Sequence, residues 1–172
     1  MVRRDNNRGN FGHMHASYYT RPVSRTPFIA ANWKMNPLPA GWNDATSFRS
    51  TEHCDVVVFP NFLDIQQCID AGLTVGAQYG RPEECGPFTG DVSMKMLAAR
   101  GVRYVLCGHS ERRIEHKEND NLISAQLEAA ISEQIICILC VGETEEERKS
   151  GKAKDVIKHQ IQTATHDLRL TT

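Results

Sequence analysis

No run of apolar residues in this 172-residue chain approaches the ~18–20 needed to cross a bilayer as a helix, so no helical membrane span is predicted. Charge of one sign is missing too. Lys and Arg number 20 against 21 Asp and Glu, for a net charge of −1, which gives no footprint for nucleic acid or a membrane surface. There is no nucleotide-binding glycine pattern, no internal repeat and no recognisable secretory signal. The six cysteines, Cys54, Cys68, Cys85, Cys107, Cys137 and Cys140, lack the spacing of a small disulfide-stapled secreted domain. Reduced thiols and a cytoplasmic setting are the expectation.

Cys137 and Cys140 do form a C-x-x-C, but inside a strand-like run, where residues three apart point to opposite faces. A redox pair needs both sulfurs at one helix start, so a structural reading is the stronger. The stretch 1–27 reads as a disordered extension: up to Thr26 it holds five arginines, one acidic residue (Asp5) and no apolar periodicity. Its Arg-rich, acid-poor composition also suits an organellar transit peptide. His13 and His15 there could bind a metal or simply be solvated, and no metal site is assigned.

From Phe28 onward strand and helix signals alternate. Near-continuous apolar runs at Phe28–Ala31, Val56–Phe59, Leu73–Ala77, Val102–Leu106 and Ile135–Val141 predict parallel strands covered on both faces. Between them lie helical stripes: Phe62, Ile65 and Ile69 ending at Gly72; Ile123, Leu127, Ala130 and Ile131; Ile157, Ile161, Ala164 and Leu168. Thr144 and Glu147 have capping-box spacing. The segment between Lys34 and Val56, with Pro37, Pro39 and Gly41, is the weakest unit. The prediction is an α/β domain over residues 28–172, with strands ordered 1-2-3-4-5.

Two strand ends carry chargeable side chains. The first run leads into Asn32-Trp33-Lys34-Met35-Asn36, and the fourth into Cys107-Gly108-His109-Ser110-Glu111-Arg112-Arg113. Both lie where a parallel α/β barrel builds its chemistry. A-N-W-K-M-N and Y-V-L-C-G-H-S-E-R-R, with Val75–Gln78, Gly86–Asp91 and Ile138–Thr144 in the same order, resemble the triosephosphate isomerase family. The resemblance implies a (β/α)8 barrel of which this chain holds about five βα units, an aldose–ketose isomerase of glycolysis and gluconeogenesis, no cofactor, a triose phosphate substrate and a homodimer.

Residue by residue, the resemblance makes His109 the electrophile that hydrogen-bonds the substrate carbonyl. Amide groups at the helical turn after it disfavour a positive imidazole. Lys34 becomes the cation that meets phosphate and enediolate charge, with Asn32 beside it. Glu111 matches a second carboxylate near the lysine, with a structural ion pair as the alternative role; Ser110 and Cys140 support, Cys140 by packing behind the site. Thr89 and Phe88, with Asp91 and Arg112, correspond to the loop that meets a partner subunit, and Asp91 in place of glutamate predicts a looser ion pair with Arg112. The carboxylate base belongs to the family's sixth strand, in a segment not found among these residues. Poor or absent turnover by this chain alone is therefore expected, and strands one and five are expected to be open, associating edges. A non-catalytic interaction module and an incomplete gene product are the alternatives.

Overall fold

The computed structural model describes residues 26–166 and 168. The expected extension at 1–27 and the histidines His13 and His15 lie outside them, apart from the last two positions of that stretch. Five strands, β1 (Phe28–Asn32), β2 (Asp55–Phe59), β3 (Gly76–Ala77), β4 (Tyr104–Cys107) and β5 (Ile136–Leu139), pair in parallel as β1-β2 and β3-β4-β5. A parallel bridge between Val58 and Val75 joins the two groups, so the order is 1-2-3-4-5. The barrel is not closed among the described residues.

The third strand is shorter than the apolar run suggested: Gly76 and Ala77 pair with Tyr104 and Val105, whereas Val75 makes only an isolated bridge to Val58 and the Leu73 N–H closes the helix at Ile65–Asp70 on the Cys68 carbonyl. A Cβ on Gly76 would sit 2.1 Å from the Phe59 ring, so only glycine permits β3 to lie this close to β2. Val102 and Ile135 fall outside their strands because their N–H groups close helices, donating to Leu97 and Ala130. The segment after Lys34 forms successive turns and no helix. Trp33 packs edge-on to Phe48 at 5.2 Å, and Arg49 ties the segment to the carbonyls of Ala71 and Gly72 at 2.8 and 3.2 Å.

The helices are α1 (Ile65–Asp70, after a 3-10 turn at Phe62–Asp64), α2 (Met94–Ala99), α3 (Ser110–Glu115), α4 (Asp120–Ser132), α5 (Glu145–Lys149) and α6 (Ala153–Thr165). Gly72, at φ +76, follows α1 as a left-handed stop. The capping box at Thr144 and Glu147 forms with both of its hydrogen bonds. Ile123, Leu127 and Ala130 of α4 are buried, but Ile131 is 49% exposed, outside the stripe predicted to hold it. Phe62 and Ile161 are also more exposed than their stripes implied, at 39% and 42%. No helix of the described residues is long and apolar enough to cross a membrane.

Strand side chains alternate between two apolar layers. Val58, Val75, Val105 and Cys107 face α4 and its neighbours, whereas Val57, Phe59 and Leu106 gather with Tyr104, Ile138 and Cys140 on the other face. On that second face the Phe28 and Tyr104 rings meet at 5.6 Å, so the sheet curls until its first and fourth strands touch. This curl brings the polar ends of β1 and β4 to one mouth.

Candidate active site

Lys34 leaves β1 two residues after its end, at φ +53. Such a backbone costs a residue with a Cβ about 1–3 kcal/mol and persists only where its surroundings over-determine it. Here the Asn32 side-chain oxygen accepts the Lys34 N–H at 3.0 Å, and the Gln78 amide donates to the Lys34 carbonyl at 2.8 Å.

On the other side of the mouth, Gly108 turns the chain out of β4 at φ +74; a Cβ there would meet Arg113, Ile123 and the Cys140 carbonyl at 3.0–3.2 Å. The turn makes His109 the N-cap of α3. Its Nδ1 accepts the backbone N–H of Glu111 at 3.3 Å. An imidazole whose Nδ1 accepts in this way carries its proton on Nε2, the nitrogen left to donate to a ligand.

The two sides meet at Glu111. Lys34 Nζ lies 2.6 Å from its carboxylate, whose other oxygen is 3.7 Å from His109 Nδ1. The hydrogen bond from Lys34 holds the Glu111 carboxyl below the usual carboxylate range. Asn32, Lys34, Gln78, His109, Glu111 and Arg112 line one cavity of about 530 Å³. The arrangement offers an ammonium and a ring N–H to an anion or a polarised carbonyl.

Apart from Arg112, the remaining sequence-predicted residues do not line the cavity. Ser110 opens α3. Burial pushes the Cys140 thiol up, and it packs against Val57, Phe59 and Leu106 rather than meeting the cavity. Cys137 lies with the opposite layer, so the C-x-x-C sulfurs are divided between two faces, and both are free thiols. Within this chain Asp91 and Arg112 each take another partner. Asp91 binds Arg81 at 2.7 Å, and Arg81 also stacks on Phe88 at 3.6 Å. Arg112 turns inward to Glu118 at 2.7 Å, a carboxylate that is nearly buried and therefore needs the cation, and lies over the Tyr79 ring at 3.6 Å. Thr89 is exposed near the tip of the loop that Arg81 organises. Glu143 is held by Arg148 at 2.5 Å with its side chain 6% exposed.

Sequence reasoning gave Gln78 no role, although it stands directly after β3, at the same strand-end level as Lys34 and His109. No sequence signal marks the role of Arg113 either. It donates to the Gly108 carbonyl at 2.8 Å and to Asp120 at 2.6 Å, pinning the turn that carries His109. Among the described residues no group of His, Cys, Asp and Glu is placed to hold a metal ion.

Residues 27–172 match the family model described as triosephosphate isomerase. The triosephosphate isomerase of Rhizobium etli is 34% identical over 151 residues, 82% of this chain and 59% of that protein. Those of Rhizobium meliloti (36% over 151 residues, 82% and 59%) and Clostridium perfringens (39% over 149 residues, 80% and 58%) are similar in the same way. The chain thus spans a little under three-fifths of the length of these relatives. With the family match covering nearly all described residues, this chain belongs to the triosephosphate isomerase family.

Proposed function

We propose that the cavity binds a triose phosphate and supplies the electrophilic half of an isomerase site interconverting dihydroxyacetone phosphate and glyceraldehyde 3-phosphate. The observation that carries this reading is the meeting of Lys34 and Glu111 at 2.6 Å beside a His109 whose Nδ1 is already engaged. In the reaction a base takes a proton from the carbon beside the carbonyl, the electron pair moves onto the carbonyl oxygen, and the enediolate is reprotonated at the neighbouring carbon. Triosephosphate isomerase is itself the type case for this division of acid and base roles. His109 Nε2–H suits the oxygen where charge develops, and Lys34 suits the phosphate and that same charge.

No residue of the cavity is assigned as the base. Of the two carboxylates that line the cavity, Glu111 is engaged by Lys34 and Glu115 stands at the C-terminal end of α3; Glu143 lies outside the cavity and is held by Arg148. General base catalysis is worth about 10²–10⁴-fold, so the 172-residue chain by itself is a poor catalyst. A dehydrogenase-coupled assay on the purified chain tests this. Turnover at background is expected, whereas a kcat of about 10 s⁻¹ or more, an ordinary enzyme's rate, overturns the assignment.

The proposal places the chain in glycolysis and gluconeogenesis, in the cytoplasm unless residues 1–27 direct it to an organelle. The exposed Thr89 beside Phe88 favours a homodimer-like contact through that loop, with a full-length family member as an equally suited partner.

A further inference from the structure

Gln78 ties three strand ends together through one side-chain nitrogen. Its Nε2 donates to the Phe59 carbonyl at the end of β2, at 2.9 Å, and to the Lys34 carbonyl beyond β1, at 2.8 Å. The Phe59 carbonyl also accepts the Trp33 N–H at 3.1 Å. Lys34 is therefore held on both sides of its strained Cα: the N–H by Asn32 at 3.0 Å, the carbonyl by Gln78. A primary amide brings two N–H donors to two carbonyls, which a carboxylate at this position lacks and an Asn, one methylene shorter, reaches less far to supply. Gly76, on the same strand, keeps β3 close enough to β2 for that reach.

We infer that Gln78 is a positioning residue of the site. It holds the Lys34 backbone in its left-handed conformation and so sets where the ammonium stands against Glu111 and the cavity. The inference rests on the reading of Lys34 as the substrate's cation, but the geometry it concerns exists without substrate. With the two donors gone, Lys34 relaxes to an ordinary backbone region, its side chain leaves the mouth at a different angle, and Glu111 loses the hydrogen bond that holds its carboxyl low.

The test follows the Glu111 carboxyl carbon by NMR through a pH titration, alongside thermal melting, in the 172-residue chain, Gln78→Met and Lys34→Met. Gln78→Met keeps the volume and removes both donors. Lys34→Met is expected to raise the Glu111 midpoint, and Gln78→Met to raise it at least half as far while still melting cooperatively. In the unsubstituted chain the Gln78 side-chain amide protons are expected to exchange at least ten-fold more slowly than those of the exposed Gln162. A Glu111 midpoint unmoved by Gln78→Met but moved by Lys34→Met overturns the inference, as does free exchange at Gln78. If Gln78→Met does not fold, Gln78→Asn carries the same titration; failure of both to fold makes Gln78 a residue of the fold alone and also overturns it. None of these readouts uses substrate, so failed triose phosphate binding would count against the isomerase reading and leave this result standing.

Discussion

Lys34 and Glu111 are 77 positions apart in the chain and 2.6 Å apart in the fold. Parallel pairing explains the approach: β1 and β4 end at the same side of the sheet, and each hands its next few residues to one mouth. Both side chains are about half exposed, so solvent and salt screen the pair.

That exposure gives a first expectation. The Glu111 carboxyl is held low by Lys34, so the pair's stabilisation is present above the ordinary carboxylate range and is lost as pH falls through the lowered value. In ~1 M salt, where the screening length is only about 3 Å, the Glu111 midpoint followed by NMR is expected to rise toward the ordinary value. A salt-independent midpoint would mean that something other than Lys34 holds it.

Gly76→Ala places a methyl group inside the Phe59 ring's space, with 2.1 Å to the nearest ring carbon. Overpacking typically costs about 1–3 kcal/mol, and Phe59 is fully buried, so the upper end or beyond is expected in denaturant unfolding. Adding Phe59→Leu should recover part of that loss; two substitutions that simply add would show that the contact is not the cause.

The two isoleucines of α4 separate fold from pattern. Ile123→Ala removes a fully buried side chain and is expected to cost about 2–5 kcal/mol. Ile131→Ala, at a half-exposed position, should stay within about 0.5 kcal/mol. Equal effects in chemical denaturation would contradict the burial described.

These isoleucines also show what was legible in the sequence. The strand order and the buried Ile123, Leu127 and Ala130 face of α4 followed from periodicity, and the grouping of Asn32, Lys34, His109 and Glu111 from the family resemblance. Ile131 did not, because a 3.6-residue stripe cannot say how wide a face the neighbours of α4 cover. Arg112 shows a related limit: a motif names charged residues, but within the chain the partner is settled by which carboxylate is buried beside which cation, here Glu118. Gln78 was hidden because its work is done through backbone carbonyls, which carry no sequence signal.

Thiol labelling should sort the cysteines by layer. Cys85 is exposed and is expected to react first. Burial, with Asp64 nearby, pushes the Cys68 thiol up to about 11, and Cys107 is raised well above its ordinary value beside Cys137. At neutral pH, Cys68 and Cys107 should be alkylated only after unfolding, as read by mass spectrometry; labelling of either as fast as Cys85 would contradict the core described.

The edge strands carry exposed apolar side chains: Phe28 is 45%, Ile29 52% and Ile136 51% exposed. Unpaired edges of this kind invite strand addition. The 172-residue polypeptide is expected to self-associate at micromolar concentration by light scattering, and Ile29→Lys to reduce that association. A cooperatively melting monomer that Ile29→Lys leaves unchanged would show that these edges are not adhesive.

The most direct measurement concerns the cavity itself. Titrating 2-phosphoglycolate, whose carboxylate copies a planar enediolate next to a phosphate, into the chain while recording the His109 ring and Lys34 ammonium resonances reads the proposed half-site. Both residues are expected to shift together with a dissociation constant in the millimolar range, and Lys34→Met to abolish the shift at His109. Unmoved His109 and Lys34 resonances at saturating ligand, or shifts that survive Lys34→Met, would contradict the assignment of this cavity to a triose phosphate.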